Sequence, residues 1–253
     1  MLAPLAFGDI VLLLAAPAVG SFLGTLILRL PAERPVVTAR SACPYCGRRL
    51  RAIELVPLVS WLASGGRCRS CGTALGLFYP AVELAALAVA VWSVALFPGW
   101  LAWASAVLGW ILLAAAEIDR RHLLLPDVLV LPLVAAGPVV LYAAAPWQVT
   151  PAVLGAVGGF ALLTAVAWIY RLVRGREGLG LGDAKLFAAA GAWTTIAGLP
   201  SVLLVAAASG LAAAGVSAYR NGGFSGERKM PFGPFLAAGL WLVWSFGPVQ
   251  SFG

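Results

Sequence analysis

Charge is what this 253-residue chain has least of: Asp, Glu, Lys and Arg make up 11% of it, against about a quarter of a soluble globular domain. Histidine is nearly absent too, with His122 alone. One histidine makes neither a His-based metal site nor a Ser-His-Asp triad. No H-E-x-x-H helix and no G-x-S-x-G elbow occurs, and no cysteine lies outside two paired motifs. A glycine-rich strand-to-helix turn is missing as well, which excludes a doubly wound nucleotide-binding domain. Long hydrophilic stretches are scarce; 31–78 is the one that could fold as a separate module.

What fills the chain instead is apolar sequence, 62% of all residues. Stretches long enough to cross about 30 Å of hydrocarbon run approximately 8–29, 79–98, 100–118, 127–145, 151–173, 184–199, 200–219 and 232–248. The expected fold is therefore an all-α integral membrane protein of about eight transmembrane helices. The blocks 184–199 and 200–219 are continuous except for a break expected at Gly198-Leu199-Pro200. Asp9 precedes the first apolar core and no basic segment does, so that core reads as a span rather than a cleaved signal peptide. All 17 Lys and Arg fall in the odd-numbered connections, from Arg29 to Lys229, and the connections around Pro98, Pro146 and Leu199 hold none. The positive-inside rule makes the basic face cytoplasmic. The net charge of +7 then follows from topology and attraction to the lipid bilayer. Basic residues scattered over four loops make no groove for nucleic acid.

All four cysteines lie in the 31–78 loop, as Cys43-Pro44-Tyr45-Cys46-Gly47 and Cys68-Arg69-Ser70-Cys71-Gly72. Two C-x-x-C pairs separated by 21 residues can surround one tetrahedral zinc, and the glycine after each pair permits the tight turn of a knuckle. Disulfides are the rival reading, but a loop in a reducing cytoplasm keeps its thiols free for metal. Four sulfur ligands leave no open coordination position, so the zinc is expected to be structural. Between the pairs, Ile53–Leu62 is apolar enough to lie on the membrane or on the helices. Glu83, one turn inside the second span, could meet the zinc loop, a bound ligand or interfacial water, and water or a basic loop partner is the expectation.

Two acidic residues end or begin apolar runs on the same face. Asp119 closes the third span and Asp183 opens a later one behind Gly178, Gly180 and Gly182. A carboxylate at the hydrocarbon edge is costly unless it has a partner or a task. The glycines let the backbone approach a neighbouring helix or an extended substrate. Brought together in a partly dry site, two carboxylates share one proton, which is the arrangement of an aspartic protease. The bland alternative has Asp119 pairing with Arg120 or Arg121 and Asp183 capping its helix. Pro126-Asp127 reads as a helix start with Asp127 as a cap, and His122 as solvated.

The ordered set of motifs resembles the type IV prepilin peptidases, membrane aspartic proteases of the GxGD class. It comprises Gly20-Ser21-Phe22-Leu23 with Arg29-Leu30-Pro31, both cysteine knuckles, Tyr79-Pro80-Ala81-Val82-Glu83, Asp119 with Leu125-Pro126-Asp127, Gly180-Leu181-Gly182-Asp183-Ala184-Lys185, and Pro231-Phe232-Gly233-Pro234-Phe235. The resemblance implies that Asp119 and Asp183 are the catalytic pair, with Gly180, Gly182 and Lys185 in the active-site loop. It also implies that Cys43, Cys46, Cys68 and Cys71 hold the metal. Longer members cut the basic leader from prepilins and pseudopilins at the cytoplasmic face of the inner membrane. They then methylate the new N terminus from S-adenosylmethionine, so a similar partner and methyl donor are expected here. The resemblance marks no residue for that donor. Gly24 departs from the pattern, standing where many relatives have asparagine.

The expected organisation is a first span over 1–30, the zinc loop over 31–78 and a peptidase bundle over 79–253. Because leaders and the cytoplasmic face are both basic, recognition is expected to use local carboxylates such as Glu117, Asp127 or Glu177. A non-enzymatic assembly protein with a zinc-bearing interaction loop is the alternative from another class. A proton or metal transporter is disfavoured because no span carries an acid at its centre. Presenilin-type intramembrane proteases lack the cysteine loop.

Overall fold

The structure, a computed structural model, describes residues 5–175, 179–221 and 230–248. Arg176, Glu177, Gly178, Arg228 and Lys229 lie outside the described residues. Among the described residues eight α-helices run in chain order: α1 (Phe7–Arg29), a short α2 (Val59–Ala63), α3 (Phe78–Leu96), α4 (Trp100–His122), α5 (Asp127–Ala144), α6 (Val149–Arg174), α7 (Leu181–Asn221) and α8 (Gly233–Phe246). The described residues form no strand, only two isolated bridges in the cysteine loop. Six of these helices are long and apolar enough to cross a membrane, and α8 is a shorter apolar helix.

The expected spans 184–199 and 200–219 both fall within α7. A straight helix of its 41 residues would be about 60 Å long, twice the hydrocarbon thickness. The chain breaks inside it at Thr195, with φ 63° and ψ 177°. That conformation is sparsely populated for any residue with a Cβ, and it lies three residues before the Gly198-Leu199-Pro200 break that the sequence suggests.

Residues divide into two compact units, Met1–Ala114 and Ala115–Gly253, the division falling inside α4. In the first unit α1 buries Leu12, Ala16, Gly20, Leu23, Gly24 and Ile27, a spacing of three and four that makes one helical stripe. The stripe faces α3 so closely that a Cβ on Gly20 would lie 2.6 Å from the Glu83 Cα. The Trp110 indole donates to the Ala86 carbonyl at 2.9 Å and ties α4 to α3. The loop between α1 and α3 exposes Ile53, Leu55, Val56, Val59 and Leu62, so of the two supports expected for this apolar stretch, the membrane or the helices, these side chains do not use the helices.

In the second unit the start of α7 is the core. Ala184, Leu186, Phe187, Ala189, Ala190, Ala192 and Trp193 are all at most 2% exposed. A helix apolar on every side is surrounded on every side, and α5, α6 and α8 each touch α7. Small residues make this possible. A Cβ on Gly155 of α6 would fall 2.6 Å from the Gly191 carbonyl oxygen and 2.7 Å from the Ile196 amide. The α6 backbone thus lies directly against α7 beside the Thr195 break, a close approach of the kind that substitutes for hydrophobic drive in lipid. Gly158, one turn away, meets nothing within 4 Å.

These two glycines separate packing from propensity. Gly155→Leu should lower the thermal unfolding midpoint in detergent markedly, by an overpacking cost of at least about 1–3 kcal/mol. Gly158→Ala should leave the midpoint unchanged or raise it, since alanine is the better helix former by up to about 1 kcal/mol.

Candidate active site

Asp119 lies in the last turn of α4 and is 5% exposed. Its Oδ2 accepts the Gly233 amide N–H at 2.9 Å. Gly233 is the first residue of α8, where backbone N–H groups have no partner inside the helix and the dipole favours negative charge. A Cβ there would sit 2.7 Å from the Asp119 Oδ2, so any side chain at this position would push the carboxylate aside. The rival pairing of Asp119 with its neighbours does not form, because Glu117 takes both cations. Its carboxylate meets Arg120 at 2.6 and 2.8 Å and Arg121 at 2.6 Å.

Asp183 lies in the first turn of α7. Its Oδ2 accepts the Gly180 amide at 3.3 Å, while its own amide donates to the Gly180 carbonyl at 3.1 Å. That reciprocal pair caps the helix start, as the bland reading held. The same residue lies within electrostatic reach of Asp119. Two features bring them together. Gly182 leaves room for Leu125, whose Cβ would be 2.9 Å from any Cβ at 182. Lys185 Nζ donates to both Asp127 oxygens, at 2.7 and 2.8 Å. The turn after Asp119 is thereby latched to the turn that carries Asp183. Gly180 accordingly binds the second aspartate and Gly182 precedes it, while Asp127, expected as a cap, makes no side-chain capping bond and holds Lys185.

Glu117 and Asp127, the expected recognition carboxylates, are each already paired with cations, and Glu177 lies outside the described residues. Gly233 was not marked as a site residue by its sequence context. A glycine-proline step opening an apolar helix signals a helix start, but nothing local names the carboxylate it will bind.

The four cysteines come together in the first unit. Their Sγ atoms all lie within 4.8 Å of one another, with Cys43–Cys71 and Cys46–Cys68 at 4.0 Å. Ligands about 2.3 Å from a tetrahedral ion lie about 3.8 Å apart, and disulfide sulfurs about 2 Å apart; the cluster fits a metal and all four thiols are free. The loop builds it from one unit used twice. Cys43 donates to Arg48 O and accepts from Gly47 N, and Cys68 does the same with Thr73 O and Gly72 N, at 2.9–3.0 Å. Gly47 and Gly72 turn the chain at φ 69° and 70°, where glycine is favoured. Backbone N–H groups of Cys71 and Ser70 lower the Cys68 thiol to about 6. The Arg48 amide pulls Cys46 the same way, but burial and the neighbouring thiols push it up to about 11.

Glu83 meets the cysteine loop, one of the partners open to it, rather than water or a cation. It is 5% exposed, and its Oε2 accepts the Leu58 amide at 2.8 Å, so it holds the cysteine loop through a backbone group instead of a cation. Beside it opens a cavity of about 1090 Å³, its solvent-open mouth included, walled by α1, α3 and the loop.

Residues 14–97 match the family model of the bacterial peptidase A24 N-terminal domain, and residues 106–215 that of the type IV leader peptidase family. A prepilin leader peptidase/N-methyltransferase of Burkholderia pseudomallei (strain K96243) is 46% identical over 219 residues, 86% of this chain and 71% of the relative. The protein of that name from Pseudomonas aeruginosa is 38% identical over 276 residues, covering 96% and 92%, and that from Aeromonas hydrophila 37% over 256 residues, covering 90% and 87%. No solved structure matches.

Metal uptake by the cluster should be strongly pH-dependent. With Cys46 pushed up to about 11, the metal-free site carries protons at neutral pH that a metal must displace, so affinity rises with pH. Competition titration against a chelator should show affinity falling about tenfold per pH unit for each proton displaced. A flat profile between pH 8 and 6 would show that the thiols are not the ligands.

Proposed function

The chain belongs to the type IV leader peptidase family, and from that premise we propose that it is a membrane aspartic endopeptidase that removes the basic leader from type IV prepilins and pseudopilins. Asp119 and Asp183 form its catalytic pair. The observation that carries this reading is that a buried carboxylate and a second carboxylate within its field are each tied by one oxygen to a backbone amide. In both residues the amide takes Oδ2, leaving Oδ1 for water and substrate. One carboxylate draws a proton from water as it attacks the scissile carbonyl carbon. The other, protonated, donates to the carbonyl oxygen. Gly180 puts bare backbone beside Asp183, which leaves room for an extended substrate segment.

The placement of all Lys and Arg in odd-numbered connections supports an inner-membrane protein with this site at the cytoplasmic face. The organisation we propose is a first span over 1–30, a loop over 31–78 carrying one structural zinc on Cys43, Cys46, Cys68 and Cys71, and a peptidase bundle over 79–253. Four thiolates complete a tetrahedral zinc and leave no position for a substrate. After cleavage, the new N terminus is methylated from S-adenosylmethionine.

Cleavage of a full-length prepilin by the detergent-purified protein tests the pair. Asp119→Asn and Asp183→Asn should each lower the rate by at least about 100-fold, the scale of lost general acid-base catalysis, with the unfolding midpoint retained. Activity surviving in a well-folded variant would make the pair structural. Gly233→Ala should lower kcat more than it raises KM, because its Cβ displaces Asp119 without touching bound substrate.

A further inference from the structure

The cysteine loop displays an apolar surface that neither its metal cluster nor the cavity beside it covers. Ile53, Val59 and Leu62 are 68, 62 and 70% exposed, and Leu77, the last residue before α3, is 67% exposed. The packing behind them fixes this outward display. Glu83 holds the Leu58 amide, and the Trp61 indole donates to the Gly76 carbonyl at 3.0 Å while its ring rests on Gly66. Ser60 and Trp61 thus face the cavity, whereas Val59 and Leu62, three residues apart and so on one side of α2, face out. Large apolar groups held outside in this way mark a surface that another apolar phase covers.

The position of the loop points to the bilayer as that phase. Arg29 ends α1 and Phe78 begins α3, two of the helices long and apolar enough to cross a membrane, so both ends of the loop leave from the membrane surface. Glu83 is the sixth residue of α3, about 8 Å along its axis, and its bond to Leu58 keeps the neighbouring Val59 close to the level at which the span begins. Charge points to the same surface. The loop over 31–78 carries seven arginines and two glutamates, and one of each, Arg48 and Glu54, pair with each other. Arg49 and Arg51 precede the apolar stretch, Arg67 and Arg69 follow it, and all four are exposed. Apolar side chains flanked by cations suit a layer that is anionic at its surface and hydrocarbon beneath. Such a layer is already tethered to the loop by two spans, so docking on it costs none of the freedom that a second protein would lose.

We infer that the cysteine loop docks on the membrane beside α1 and α3, with Ile53, Val59 and Leu62 among the upper acyl chains and the exposed arginines on anionic phospholipid headgroups. The order of the loop then depends on lipid composition as well as on metal.

Photolabelling of the full-length, metal-loaded protein in vesicles, by a phospholipid with a diazirine on its acyl chain, tests this; labelled residues are read by peptide mass spectrometry. In vesicles of phosphatidylcholine with phosphatidylglycerol the parent should be labelled within residues 53–62. In phosphatidylcholine alone that labelling should fall about fivefold, the scale of one arginine's attraction to an anionic surface, while labelling of α1 and α3 stays equal and serves as the internal standard. Arg49→Gln with Arg51→Gln should remove the difference between the two vesicles. Val59→Ser with Leu62→Ser should lower labelling of the loop in both. No label within 53–62, or equal label in the two vesicles, overturns the inference, and the parent alone gives that result should a variant fail to fold. Label that appears only when each vesicle holds a single copy, or only without prepilin, would assign the surface to a second copy or to the substrate and overturn it as well.

Discussion

A carboxylate set at the end of an apolar helix costs several kcal/mol unless something polar meets it, and Asp119 is met by one backbone amide that comes from 114 residues further along the chain. Much of the second unit is arranged so that this amide can arrive. The chain must begin a helix at Gly233, because a helix start is where amides are free. Glycine at that residue keeps the carboxylate in place, because the acceptor oxygen occupies the space its Cβ would take. And α8 must pack on α7, which it does with the Val202 carbonyl 2.6 Å from where a Cβ on Gly239 would be. Glu117 contributes from the side: by taking Arg120 and Arg121 it keeps both guanidinium groups from the aspartate two residues away.

The second aspartate depends on a different device. Asp183 is carried by the most deeply enclosed segment of the molecule, where alanine and glycine bring backbone against backbone. Such a helix cannot easily rotate or slide, since each step would push a carbonyl into a Cβ. Its first turn therefore has a fixed position, and the Lys185–Asp127 pair, half-exposed and worth at most about 1 kcal/mol by itself, has only to select the arrangement of the preceding loop. The rigid element supplies the placement and the ion pair supplies the registration. A catalytic pair profits from that division, because carboxylates displaced by even about 1 Å lose much of their effect.

Features encoded locally were legible in the sequence: the spans by hydropathy, the knuckles by cysteine spacing, the two aspartates by being acids at the ends of apolar runs. Each is a property of a short window. Gly233, Glu83 and Glu117 acquire their roles from partners, and in the first two cases the partner is distant along the chain or is a backbone group with no identity of its own. No pattern of side chains announces that the Leu58 amide will reach Glu83. The Thr195 break illustrates the same limit from the other side. Gly198-Leu199-Pro200 carries the composition of a helix breaker, yet the chain bends at a threonine, at the point where the α6 backbone lies against it at Gly155. Tertiary contact decided where a local signal pointed only nearby.

The cysteine loop shows what such a contact does for a segment too small to hold itself. A module of this size buries too little apolar surface to fold alone and needs a metal or an external support. In it Cys43 and Cys68 are buried while Ile53, Val59 and Leu62 remain exposed, so its order has to come from elsewhere. Repeated knuckles around four thiols give it one anchor. The Leu58 amide on Glu83 gives it a second, and it is placed inside a helix that α1 holds at backbone contact. Leu58 has φ 60°, a strained value for leucine that this hydrogen bond helps to sustain. The loop, the cavity beside it and the α1–α3 pair thus form one mechanical unit. A side chain at Gly20 or Gly24 would displace Glu83 or Tyr79, and through the Glu83–Leu58 bond a shift of Glu83 would reach the cysteine loop.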